Sequence, residues 1–180
     1  MFDTALGRCG VAWGPQGLEA VQLPEPDDEA TRRRLLKGAG VREADCPLLA
    51  SWPPMVVEAM AGIQALLRGE ARDLQALPLN MARVTPFQRQ VYALARTIAP
   101  GRTRTYGELA AELGDPRLAR AVGQALGHNP FAPVVPCHRV LAAGDRPGGF
   151  SAHGGADTKR RLLTIEGALQ PGSLPLFEGL

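Results

Sequence analysis

Thr105-Tyr106-Gly107-Glu108-Leu109-Ala110-Ala111-Glu112-Leu113-Gly114-Asp115-Pro116-Arg117-Leu118-Ala119-Arg120-Ala121-Val122-Gly123-Gln124-Ala125-Leu126-Gly127 reads as two short helices joined by a tight turn. Thr105 and Glu108 have the spacing of a capping box, so a helix is predicted from Tyr106 to Leu113. Gly114-Asp115-Pro116 ends it and caps a second helix, predicted from about Pro116 to Gly127. Two helices across a three-residue glycine-containing turn make a helix-turn-helix candidate. The second helix has an odd composition. Ordinary recognition helices offer Asn, Gln, Arg or Lys to base edges in the major groove. Here Ala119, Ala121, Gly123 and Ala125 dominate, with Arg120 among them. Such a surface can approach a groove closely but reads little, which suits sequence-independent docking in a minor groove with Arg120 free to enter the stack. The alternative is an Ala/Gly helix packed inside an ordinary core.

Upstream, Thr85-Pro86 caps and opens a helix in which Phe87, Val91, Leu94 and Ile98 share a face until Pro100-Gly101 stops it. Residues 1–80 differ in texture. Phe2 to Ala5, Cys9 to Trp13 and Leu18 to Leu23 are predicted strands, parted by Gly7 and by Gly14-Pro15-Gln16-Gly17. A helix is predicted from about Asp28 to Lys37, then a loop through Cys46-Pro47 and Pro53-Pro54. A further helix follows from about Pro54 to Leu67, with Val57, Met60, Ala61 and Leu66 giving its pattern, and Leu74 to Leu79 form one more strand. The expected class is α+β: a small sheet-plus-helix domain over 1–80, a mainly helical domain over 81–170, and a loose tail over 171–180.

Hydrophobic residues make up 45% of the chain and charged ones 21%, a globular balance rather than a disordered one. Cys9, Cys46 and Cys137 are too few and too scattered for a disulfide framework and suit a reducing compartment. His128, His138 and His153 all lie in the last third, so Cys9 and Cys46 lack nearby histidines and no metal site is predicted. Met1-Phe2-Asp3-Thr4 has no signal-peptide character, and no stretch is long enough to span a bilayer. A soluble, cytoplasmic protein without a cofactor is expected. The net charge of +2 hides a division: residues 1–80 carry eight Lys/Arg against eleven Asp/Glu, residues 81–180 twelve against seven. That asymmetry points the second half toward a polyanion. Arg32-Arg33-Arg34, after the acidic Glu25-Pro26-Asp27-Asp28-Glu29, is read as merely solvating its helix.

Downstream of the two helices, Pro136-Cys137-His138-Arg139-Val140 sets a thiol beside an imidazole. A thiolate is the strongest side-chain nucleophile, and a neighbouring base or cation raises its population. Adjacency alone says little, because most lone cysteines are small buried hydrophobes. With Gly127-His128-Asn129-Pro130 before it, however, the motif resembles the signature of the O6-alkylguanine-DNA alkyltransferases (methylated-DNA–protein-cysteine methyltransferases), and the likeness runs across nearly the whole chain. The resemblance implies a ribonuclease H-like N-terminal domain and a winged-helix-like C-terminal one. It also implies a partner, double-stranded DNA carrying O6-alkylguanine, bound through the minor groove by a monomer. The alkyl group would pass to a cysteine after the nucleotide is flipped out of the duplex. The product is a thioether, so one molecule repairs one lesion and the enzyme turns over once.

The resemblance assigns roles residue by residue. Cys137 is the acceptor and His138 the general base, acting through a water on the thiol. Leu162-Leu163-Thr164-Ile165-Glu166-Gly167 matches the segment whose carboxylate orients the imidazole, so Glu166 takes that part; taken alone, it is a glutamate before a helix-ending glycine. Asn129 braces the loop before the active-site turn. Tyr106 donates to the guanine ring nitrogen as the base leaves and helps rotate the phosphate, while Arg120 fills the place of the extruded nucleotide. Ala119, Ala121 and Gly123 join them on the DNA-binding face. Cys137 and Val140 offer backbone carbonyls to the guanine amino group. The substrate pocket is assigned to Val140, Phe150, Ser151, Leu126 and Lys159. Lys159 is also expected, with Arg160 and Arg161, on the exposed face of the last helix. Arg139 is read as an ion pair or backbone clamp at the interface of the halves, and His153 as a surface loop residue. The chain departs from the family pattern at Gly148-Gly149-Phe150-Ser151-Ala152-His153-Gly154-Gly155, where the aromatic wall is Phe150 and two residues are added before the glycine pair. Two other readings compete with this one. An alkyltransferase-like protein that binds lesions without repairing them would lack the acceptor cysteine, which is retained here. A cysteine hydrolase would leave the Arg120 helix without a purpose.

Overall fold

In the computed structural model of the protein, residues 1–45, 51–144 and 148–169 are described. Cys46, the Cys46-Pro47 loop and the expected tail lie outside them. Strands β1 (Phe2–Thr4), β2 (Gly7–Gly14) and β3 (Gly17–Gln22) form an antiparallel sheet in sequence order. The β2–β3 turn needs glycine at residue 17. Its φ is +120°, and a Cβ there would come within 2.6 Å of the Pro78 carbonyl oxygen.

Helix α1 (Asp28–Ala39) starts where the Asp27 carboxylate accepts from the Ala30 amide and ends on Gly40 in the left-handed conformation. It runs two residues past the expected end and lays Thr31, Leu35 and Ala39 toward the sheet. Helix α2 (Pro54–Leu67) has the predicted limits but a different buried face. Val56, Ala59, Met60, Ile63, Leu66 and Leu67 point inward, whereas Ala61 is exposed and Val57 is 50% exposed. So much of this helix is apolar that its inward face is hard to phase from the pattern alone. Leu74 to Leu79 is not a strand. Leu74 and Leu77 are buried from turns, and Leu79 makes a single bridge to Leu18. Pro78 has no amide hydrogen to continue a ladder, although its carbonyl accepts from the Leu18 amide at 2.9 Å.

Helix α3 (Pro86–Arg96) begins with a complete capping box between Thr85 and Gln88. It buries Val91, Tyr92 and Ala95, with Ile98 beyond its end; Phe87 and Leu94 are only half-buried on its flanks. Helix α4 (Tyr106–Glu112) carries the predicted Thr105/Glu108 box. The next helix opens as a 3-10 turn, Pro116–Leu118, before α5 (Ala119–Gly127) buries Val122, Ala125 and Leu126. The Tyr92 hydroxyl donates to the Ala125 carbonyl at 2.9 Å, tying α3 to α5. Two short strands, β4 (Arg104–Thr105) and β5 (Val140–Leu141), pair in parallel. Helix α6 (Ala156–Ile165) closes the fold.

The buried side chains form two main clusters. One joins the sheet and α2 with Val134 and Leu162; the other joins α3, α4 and α5 with Val135, Cys137 and Val140. Val134 and Val135, adjacent in sequence, therefore point into different cores. The segment that carries the thiol is threaded between them, and it is fixed to the sheet by the Val21 amide donating to the Pro130 carbonyl at 2.8 Å.

Candidate active site

Cys137 opens a 3-10 turn, Cys137–Arg139, in which all three residues are buried. Asn129 holds the approach to it. Its Nδ2 donates to the Val135 carbonyl at 2.8 Å and to Cys137 Sγ at 3.3 Å, while its Oδ1 accepts from the Phe131 amide at 2.9 Å. Burial pushes the Cys137 thiol above its ordinary pKa; the Asn129 donor and the charge of Lys159 oppose the shift without cancelling it. The resting group is a thiol, so a base must take its proton. The other described cysteine, Cys9, is buried in the first cluster beside Thr4, and burial pushes it up to about 11.

His138 is wholly buried, and its Nε2 meets Glu166 Oε1 at 2.8 Å. Arg139 grips the same carboxylate with Nε to Oε2 at 2.8 Å and Nη2 to Oε1 at 2.9 Å, and sends Nη1 to the Ile98 carbonyl at 2.5 Å. Burial alone would raise the Glu166 pKa, but the bonds from His138 and Arg139 outweigh it and hold the group down to about 2. Burial lowers the His138 pKa, and Glu166 opposes that. A neutral imidazole whose Nε2–H donates to a carboxylate leaves Nδ1 as the basic atom. His138 Nδ1 is buried with no hydrogen-bond partner among the described residues. The expected clamp at Arg139 is present, but it joins elements of the second half to one another rather than the two halves.

Lys159 corrects an expectation. It does not lie on the exposed face of α6 with Arg160 and Arg161; its side chain is fully buried. Nζ donates to the Val140 carbonyl at 2.6 Å and to the Tyr106 hydroxyl at 3.3 Å, and sits 5.5 Å from the Tyr106 ring centre. Burial lowers its pKa to about 8. The clue was in the sequence: Lys159, Leu162 and Leu163 fall at the spacing of one helical stripe, which is the buried stripe of α6. Tyr106 stands at the start of α4 near Gly123 and Gly148, and burial raises its pKa.

A cavity of about 20 Å3 adjoins Cys137, and Ala132, Phe150, Ser151 and Ala152 are part of its lining. Val140 and Leu126, assigned to the pocket from sequence, send their side chains into the second core cluster, and neither lines this cavity. Only the Val140 carbonyl is engaged nearby, through Lys159. The rest of the lining comes from Val21, Gln22, Leu23 and Arg34, with Asn129. Sequence reasoning missed it, because no local pattern brings β3 and α1 to the thiol. On α5, Arg120 is exposed with no partner among the described residues, and Ala119, Ala121 and Gly123 are half-buried. His153 is exposed on its loop. Among the described residues no group of three or more His, Cys, Asp or Glu could hold a metal, and no helix is long and apolar enough to cross a membrane.

Residues 86–168 match the family described as 6-O-methylguanine DNA methyltransferase, DNA binding domain. A methylated-DNA–protein-cysteine methyltransferase of Mycolicibacterium paratuberculosis is 50% identical over 126 residues, 70% of this chain and 74% of that protein. The crystal structure of Mycobacterium tuberculosis O6-methylguanine methyltransferase is similar with a TM-score of 0.70 and 32% identity, over 96% of this chain and 93% of that one. That of Mycobacterium tuberculosis OGT in complex with DNA is similar with a TM-score of 0.68 and 32% identity, over 95% and 93%.

Proposed function

The chain belongs to the methylated-DNA–protein-cysteine methyltransferase family, and from that premise we propose that Cys137 is the atom-level acceptor in the direct repair of O6-alkylguanine in DNA. The observation that carries the assignment is the hydrogen-bonded array around one thiol: Asn129 on Sγ, and Glu166 aligning the neighbouring His138. Sγ attacks the alkyl carbon in line with its bond to O6. The new C–S bond forms as the C–O6 bond breaks, and guanine departs with the electron pair. The thiol proton passes through a water to His138 Nδ1, and Glu166 stabilises the imidazolium. Tyr106 supplies the proton that neutralises the leaving guanine. Charged Lys159, 3.3 Å from that oxygen, offsets the negative charge left on it. The thioether has no route back to a thiol, so each molecule acts once.

The two helices α4 and α5 are proposed to dock as a helix-turn-helix in the minor groove, with Arg120 filling the gap left by the flipped nucleotide. The two core clusters support a division into an N-terminal α+β unit and a C-terminal alkyl-acceptor unit, acting as a monomer. A nucleophile that must stay reduced suits the cytoplasm. Intact mass after exposure to an oligonucleotide bearing O6-methylguanine tests the proposal. One methyl should appear, mapped to Cys137, with no second turnover, and Cys137→Ala should bind DNA without transfer. A methyl found on Cys9 or Cys46, or repeated turnover, would refute it.

A further inference from the structure

We infer that Arg34 on α1 sets the largest alkyl group the reaction accepts, an inference that rests on the acceptor role given to Cys137. The cavity beside Cys137 measures about 20 Å3. One water-sized sphere fills about 10–15 Å3, so the space suits a single methyl group. Arg34 also lines a cleft of about 810 Å3. The two spaces share Gln22, Arg34, Asn129 and Ser151 as walls.

Arg34 lines both spaces, and its guanidinium is held by two partners. One guanidinium nitrogen donates to the Ser151 carbonyl, and the other donates to Glu25 Oε1 at 2.7 Å. Glu25 is itself fixed, with its side chain 11% exposed and the Gln22 amide donating to the same oxygen at 3.1 Å. The bond to Ser151 ties the Phe150–Ala152 stretch to α1 and so limits the cavity. A benzyl group adds a six-carbon ring for which the cavity has no room, and the adjoining space is the cleft that Arg34 also lines. Displacement at a benzylic carbon is intrinsically easier than at methyl, because the ring delocalises charge in the transition state. A methyl preference imposed by so small a cavity is steric, and removing Arg34 should release the benzylic reactivity.

The test compares single-turnover transfer from duplex oligonucleotides bearing O6-methylguanine and O6-benzylguanine. Arg34→Ala should raise the benzyl-to-methyl rate ratio about tenfold or more, the scale on which a few carbon atoms in a pocket are discriminated. Glu25→Gln, which loosens Arg34 without removing it, should move the ratio less and in the same direction. Lys37→Ala should leave it unchanged, since Lys37 lines the cleft and not the cavity. A wild-type ratio in Arg34→Ala overturns the inference. Should Arg34→Ala fail to transfer methyl at all, the ratio in Glu25→Gln decides in its place. Absence of methyl transfer by the wild-type protein would instead strike the acceptor role of Cys137.

Discussion

In the proposed reaction Glu166 serves two cations, permanent Arg139 and the imidazolium that His138 becomes. Arg139 keeps it ionised and fixed; His138 already donates to it when neutral, and the carboxylate's charge counts most once the imidazole gains a proton. Glu166→Gln should therefore slow alkyl transfer roughly 100-fold, the usual scale for a disabled general base, with DNA affinity near normal. Transfer at the wild-type rate would reduce Glu166 to a helix-end residue. The same carboxylate makes an acid-stability prediction. Its folded-state pKa of about 2 lies below the ordinary 4.5, so the unfolded chain takes up its proton first. The stabilisation is complete above about pH 4.5 and is lost as pH falls toward 2. Urea unfolding at pH 6 and pH 3 should show a larger loss for the wild type than for Glu166→Gln. Equal losses would mean that other carboxylates govern acid unfolding.

At the scale of elements, α5 is asked to separate two tasks. Arg120→Ala should slow repair of duplex DNA far more than reaction with free O6-methylguanine, which needs no base flipping. Equal slowing would mean that Arg120 supports the fold or the thiol. Elements with explicit punctuation were legible in the sequence. Thr85 with Pro86 and Thr105 with Glu108 marked the starts of α3 and α4, because capping chemistry is local. The phase of α2 and the turn around Leu74 to Leu79 were not legible, since both depend on which neighbours cover them. The site divided along the same line. Cys137, His138, Asn129 and Glu166 could be assigned from motifs, whereas Arg139 on Glu166, Lys159 under Tyr106 and the wall from Arg34 arise from contacts distant in sequence.

For the whole molecule, the charge division gives a further measurable consequence. Neutralising phosphates releases counterions, so DNA affinity should fall linearly on a log–log plot against salt, by about 0.9 per phosphate neutralised. It should depend little on flanking sequence, because α5 presents few base-reading side chains. A strong flanking-sequence preference would contradict docking by a small-residue surface.

The parallel pairing of β4 with β5 matters to anyone recombining relatives of this chain. Arg104 lies opposite Val140 and Thr105 opposite Leu141, so the residue that caps α4 shares a backbone ladder with the residues that follow the cysteine turn. A crossover placed between the two helices and Cys137 would take one parent's α4 entry and the other's nucleophile loop, with the ladder split across the seam. Exchange near residues 79–84 would carry the α4 entry and the nucleophile loop over as one cassette.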